Sequence, residues 1–216
     1  MNAAPFLNRA QAGQLLAREL AKLDLERPVV YALPRGGVPV AAPIAEALRA
    51  PLDLLLVRKI GVPGHEELAA GSVVDGAAPN IVVNQAIVRA LGWSKAGVDA
   101  AAQPHLQEIE RRRSLYLPGR APIPAEGRTA ILVDDGIATG ASMRAAIEAV
   151  RRRQPRHIVV AVPVAAADTV RDLRREVDDV VCLAAPERFG AVGHFYRDFH
   201  QLDDAEVIGC LKAFAG

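Results

Sequence analysis

Apolar positions along this chain follow two alternating rhythms. Five short runs are apolar nearly throughout and rich in β-branched residues: Pro28–Leu33, Leu52–Val57, Thr129–Val133, His157–Val162 and Asp178–Leu183. Runs of that length and composition read as buried strands. Between them, apolar residues recur roughly every three or four positions, the spacing of one helix face. Asn8 is placed to cap a first helix that carries Ala12, Leu15, Leu16, Leu20 and Leu23 on one side. Further helices are predicted over Val38–Leu48, Gln85–Leu91, Ser94–Tyr116, Ala141–Arg152, Asp168–Glu176 and Asp203–Phe214. Pro39 suits a first helical turn, whereas Pro43 strains the assignment around it.

The rhythm breaks between Arg58 and Asn84, where Gly61, Pro63, Gly64, Gly71, Gly76 and Pro79 punctuate the chain. Only Ser72–Val74 and Ile81–Val83 look like strand there. An irregular segment this long is uncommon in a compact domain unless it has a function. A second break, from Pro118 to Gly127, joins the two halves. Apolar strands alternating with amphipathic helices imply parallel strands covered on both faces. The expected class is α/β: a doubly wound, mostly parallel open sheet with helices on both faces. One domain spans residues 1–216, with a core over about 28–185. A small variable hood comes from the N-terminal helix, the C-terminal segment 186–216, or both. Ligands in such sheets bind outside the carboxyl ends of the strands, which singles out Pro34–Gly37, the stretch from Arg58 onward, and Asp134–Ser142.

Composition narrows the field. With 216 residues, 51% hydrophobic and 24% charged, the chain has room for a sizeable core. A formal net charge of +1 gives no global case for nucleic acid or an anionic membrane as partner. Cys182 and Cys210 form no metal-binding pattern, as expected of a reduced compartment. No signal-peptide layout opens the chain, and no apolar run approaches the ~18 residues that span a bilayer. The expectation is a soluble, cytoplasmic protein. Aromatics make up only 4%, yet Phe189, Phe195, Tyr196 and Phe199 crowd into one short stretch.

The decisive chemistry lies in Ile131-Leu-Val-Asp-Asp-Gly-Ile-Ala-Thr-Gly-Ala-Ser142. An apolar strand ends in two acids, then a small-residue turn, then a helix. The backbone N–H groups of Gly136, Ile137, Ala138, Thr139, Gly140, Ala141 and Ser142 can surround an anion, with the Thr139 and Ser142 hydroxyls adding donors. Asp134 and Asp135 would repel a phosphate that they faced. Beside it they can accept hydrogen bonds from sugar hydroxyls or hold a cation. A ribose 5-phosphate meets both demands. The motif is neither a Walker A loop nor GxGxxG.

This stretch resembles the phosphoribosyl-pyrophosphate (PRPP) loop of the type I phosphoribosyltransferases, in particular a bacterial branch whose chains end in a similar Ala-Val-Gly-x-Phe-Tyr-x-Asp-Phe. The resemblance implies transfer of the 5-phosphoribosyl group from PRPP to a nitrogenous base, a purine or pyrimidine, with release of pyrophosphate and with Mg²⁺ as cofactor. It implies that Asp134 and Asp135 hold the ribose and, directly or through its hydroxyls, the metal. Arg35, Gly36 and Gly37 match the loop that contacts pyrophosphate, which in the family often holds a non-proline cis peptide. Arg58 and Lys59 open the counterpart of the flexible catalytic loop and are expected at the pyrophosphate. His65, Glu66 and Glu67 on that loop are either a solvated tip or assist a proton at the base.

Phe189, Phe195 and Tyr196 fall where purine-type members stack on the base, although the spacing from Phe189 to Gly193 is one residue longer here. The other reading is a hinge that packs the C-terminal helix. Arg111–Arg113 and Arg151–Arg153 read as solvated helix faces, Cys182 as core and Trp93 as packing at a helix junction. Dimers are common in the family. The alternative to an enzyme is a regulator of the same fold that senses PRPP or a nucleotide without catalysis.

Overall fold

The computed structural model describes residues 5–62, 65–75 and 80–214, with backbone alone at 65–68 and 80. In chain order the strands are β1 (Val29–Ala32), β2 (Leu52–Leu54), β3 (Val57–Val62), β4 (His65–Val74), β5 (Asn80–Val83), β6 (Thr129–Val133), β7 (His157–Val164) and β8 (Asp179–Ala184). The helices are α1 (Arg9–Leu20), α2 (Gly37–Leu48), α3 (Gln85–Ala90), α4 (Lys95–Tyr116), α5 (Ala141–Arg151), α6 (Ala167–Leu173) and α7 (Asp204–Lys212).

Five strands form the central sheet in the order β2-β1-β6-β7-β8, every pair parallel. Alternate side chains serve opposite faces. Val30, Ala32, Ile131, Val133, Val159 and Ala161 pack under α1, α2 and α7. Val29, Tyr31, Ala130, Leu132, Ile158 and Val160 pack under α5 and α6. The expected doubly wound α/β sheet is therefore present. Its strand order runs outward in both directions from the β1–β6 boundary, and a crevice opens there at the carboxyl ends.

Three expectations need correction. The apolar run Leu52–Val57 is not one strand: β2 ends at Leu54, and Val57 already belongs to a second sheet. The segment from Arg58 to Asn84 is not irregular, because β3, β4 and β5 form a three-stranded antiparallel sheet packed against α4 and α5. Its register shifts around Gly61, a bulge where the sequence suggested a break. Cys182 is only half-buried, since β8 is an edge strand.

Two further packing features bring the N-terminus to the crevice. Gly13 in α1 sits so close to α2 that an added Cβ would stand 2.2 Å from the Val40 carbonyl oxygen and 2.6 Å from Pro43 Cγ. Only glycine allows this approach, which fixes α1 along the turn containing Pro43. Just before α1, the chain pairs with the late stretch: Phe6 N–H donates to the Phe195 carbonyl (3.1 Å), and Arg197 N–H donates to the Phe6 carbonyl (2.9 Å). The two chain ends thus form one layer over the site.

Candidate active site

The loop from β6 to α5 is held from behind. Ile137 N–H donates to the Val164 carbonyl and Ala166 N–H donates to the Ile137 carbonyl, at 2.9 and 3.1 Å. Thr169 of α6 donates its hydroxyl to the Ala138 carbonyl at 2.7 Å. The outward side of the loop faces a cavity of about 130 Å³ lined by Lys59, Asp134 and residues 136–143. Ala138, Thr139, Ala141 and Ser142 are exposed to it, while Ile137 and Met143 anchor the loop in the core. First-turn amides of α5 lack partners within the helix and point into such a space.

Asp134 and Asp135 lie at the carboxyl end of β6. Asp135 N–H donates to Asp134 Oδ1 at 2.8 Å. Burial pushes the Asp134 carboxyl well above the usual range, and the neighbouring Asp135 charge pushes the same way. Burial also raises Asp135, but the Arg9 guanidinium opposes that shift. Arg9 Nε lies 2.8 Å from Asp135 Oδ2, and the Arg9 side chain is only 9% exposed. The Asp135 carbonyl accepts the Tyr196 hydroxyl at 2.6 Å. Gly36 leaves room for this carboxylate, because a Cβ there would come within 2.1 Å of Asp135 Oδ2.

Arg35, Gly36 and Gly37 follow β1 and lie directly against the acids, with a cis peptide bond between Pro34 and Arg35. Gly37 N–H is engaged by the Leu33 carbonyl at 2.9 Å, which leaves the Arg35 side chain and Gly36 facing outward. Together with Arg9, Asp135, Phe199, His200, Gln201 and Leu202 they line a second cavity of about 380 Å³. Lys59 and Arg58 part company because successive strand residues face opposite ways. Lys59 faces the β6–α5 loop. Arg58 lies toward His105 on α4, whose imidazole is held below its ordinary range by burial and then by Arg58.

The aromatic residues pack mainly on one another. Phe189 stacks on Phe195 with centroids 5.5 Å apart, and Tyr196 on Phe199 at 5.0 Å. Tyr196 also meets Phe6 and is 5% exposed, so its ring is enclosed by protein. Phe199 is the cluster member that lines the cavity with Arg35 and Asp135. The side chains of His65, Glu66 and Glu67 lie outside the described residues. Arg9 carried no signal in the sequence: one arginine at the start of a helix looks like any surface residue.

A larger cavity of about 900 Å³ lies elsewhere, between α4 and residues 117–122. Arg113 lines it, but its guanidinium is bound to Asp75 and Asp53 at 2.7 and 2.9 Å. Arg113 is thus a buried bridging cation and not part of a solvated helix face, a correction to the reading of Arg111–Arg113. None of the predicted site residues lines this cavity.

Compared with known proteins, residues 7–200 match the phosphoribosyl transferase domain family. The chain belongs to that family. Two Mycobacterium tuberculosis proteins, from strains CDC 1551 and H37Rv and each named "Putative phosphoribosyl transferase", are 45% identical over 206 residues, or 95% of this chain. The chain spans 46% of their length. The crystal structure of TT1426 from Thermus thermophilus is 42% identical with a TM-score of 0.86, covering 98% of this chain and 99% of that one. The AQ2163 protein of Aquifex aeolicus shares the fold alone, at 13% identity, a TM-score of 0.53, and coverage of 86% and 78%. Among the described residues no helix is long and apolar enough to cross a membrane.

Proposed function

We propose that this protein transfers the 5-phosphoribosyl group of PRPP to the nitrogen of a purine or pyrimidine base, releasing pyrophosphate. The observation that carries the reading is the paired acid and anion loop at the carboxyl end of β6, opposed by Lys59 and flanked by Arg35 and Gly36. Residues 136–142 hold the 5-phosphate through loop amides and hydroxyls, and Lys59, which lines the same cavity, supplies a cation. Asp134 and Asp135 accept hydrogen bonds from the ribose hydroxyls. Arg35 and Gly36 hold the pyrophosphate as it departs. The base approaches C1 from the side opposite the leaving group, so the centre inverts. Catalysis of this kind rests on positioning and electrostatics and needs no nucleophilic side chain.

Among the described residues no group of three or more His, Cys, Asp or Glu side chains could cage a metal ion. Two adjacent carboxylates and an anion loop instead suit Mg²⁺ carried on phosphates, which binds through one or two carboxylates plus substrate oxygens. Asp134 and Asp135 would hold it, directly or through ribose hydroxyls, and the ion would neutralise charge on the leaving pyrophosphate.

The test is pyrophosphate release from PRPP and Mg²⁺ against a panel of nucleobases. Turnover with one base supports the enzyme and names its acceptor. Tight PRPP binding with no turnover on any base shifts the reading to a sensor of the same fold.

A further inference from the structure

Arg9 is an unusual first residue for a helix. A cation in the first turn opposes the helix dipole, and a long charged side chain is rarely buried without a partner. Three contacts account for its position. Nε lies 2.8 Å from Asp135 Oδ2, Nη1 donates to the His200 carbonyl at 3.0 Å, and Cζ sits 3.9 Å from the centre of the Phe199 ring. Phe199 stacks on Tyr196, and the Tyr196 hydroxyl returns to the Asp135 carbonyl at 2.6 Å. These four residues close a ring that grips Asp135 by both side chain and main chain.

We infer that Arg9 is a positioning residue for phosphoribosyl transfer, acting through Asp135 to fix the carboxylate that receives the ribose. The inference rests on the reading of Asp134 and Asp135 as ribose ligands. Arg9 takes Oδ2, and Asp135 lines the cavity beside Arg35, so the carboxylate is anchored on one oxygen where it would meet substrate. Phe199 holds the guanidinium plane by stacking, and the His200 carbonyl fixes its far end. The N-terminal helix, 126 residues away along the chain, becomes part of the active site.

Equilibrium binding of PRPP with Mg²⁺ tests this without knowledge of the acceptor. Arg9→Met is expected to weaken PRPP about 10–100-fold, the usual effect of removing a partner behind a ligating group. In an Asp135→Asn background the same change is expected to matter less than about twofold, because its route is already removed. Equal losses in both backgrounds would overturn the inference, since Arg9 would then act through the fold or on PRPP itself. If Arg9→Met does not fold, Arg9→Lys keeps the charge but loses the fork, and it runs the same cycle. Guanidinium ion added to Arg9→Ala is a further readout, and recovery of PRPP affinity is expected because the site opens onto the cavity beside Arg35. No recovery counts against the inference. Wild-type protein that takes up no PRPP defeats both this inference and the functional reading. Wild-type binding matched by Arg9→Met defeats the inference alone.

Discussion

Two pairs of carboxylates lie near strand ends in this molecule, and each has one arginine. Asp53 and Asp75 are both 2% exposed and share Arg113, which bridges them. Asp53 also accepts from the N–H groups of Leu54 and Ile123, and Asp75 from that of Leu56, at 2.8–2.9 Å. Asp134 and Asp135 touch each other, and only Asp135 has a cation, on a single oxygen. In the first pair every carboxylate oxygen already accepts from protein, although Asp75 and Arg113 also line the cavity of about 900 Å³. The second is left partly open beside two cavities and sets side by side two carboxyls whose charged forms burial disfavours. A structural acid pair satisfies itself, while a binding pair keeps capacity for a ligand at some expense in stability.

Arg113→Met gives the strongest contrast. It strands two buried carboxylates, and breaking a buried pair in this way costs about 3–5 kcal/mol. Urea unfolding is expected to show that loss, while PRPP affinity of the folded fraction is unchanged. A change in affinity without a change in stability would exchange the roles of the two pairs. Next comes Asp134→Asn with Asp135→Asn. This double variant is expected to fold as wild type and to lose at least about 100-fold in transfer rate, roughly 2.7 kcal/mol of transition-state stabilisation. Near-normal pyrophosphate release would remove the open pair from the chemistry.

What could be read from the sequence follows the same division. The β6–α5 loop is contiguous, so spacing alone gave the acids, the small residues and the helix start. The five strand cores were legible because both faces of a parallel sheet are buried. Arg9 was not, nor was the contact Tyr196 makes with Asp135 beside it, since both depend on Phe6 pairing with Tyr196 across the length of the chain. The cluster from Phe189 to Phe199 was visible as a group, but its packing on itself and on Phe6 was not. The β3–β5 sheet was hidden by its glycines: Gly71 pairs with both Ile60 and Val83 inside β4, where the sequence read a loop. Arg113 sat in a run of three arginines that looked uniformly solvated. Only one of them meets the buried carboxylates.

Smaller effects separate the two members of the open pair. The folded carboxyl of Asp134 is raised above its ordinary value of 3.8 by burial and by Asp135. A group raised in this way holds its proton more tightly when folded, so its contribution is complete below about pH 4 and is lost as pH rises through the folded value. Asp134→Asn removes that loss. Thermal melts are expected to show the variant more stable than wild type at pH 7–8, with the curves converging toward pH 4. Asp135→Asn relieves the same repulsion but weakens the partner of the buried Arg9, and the two changes oppose each other. Its stability at pH 7–8 is expected to change less than that of Asp134→Asn. Equal gains from both variants would mean that the Arg9 contact adds nothing to stability, and the open pair would then be open on both sides.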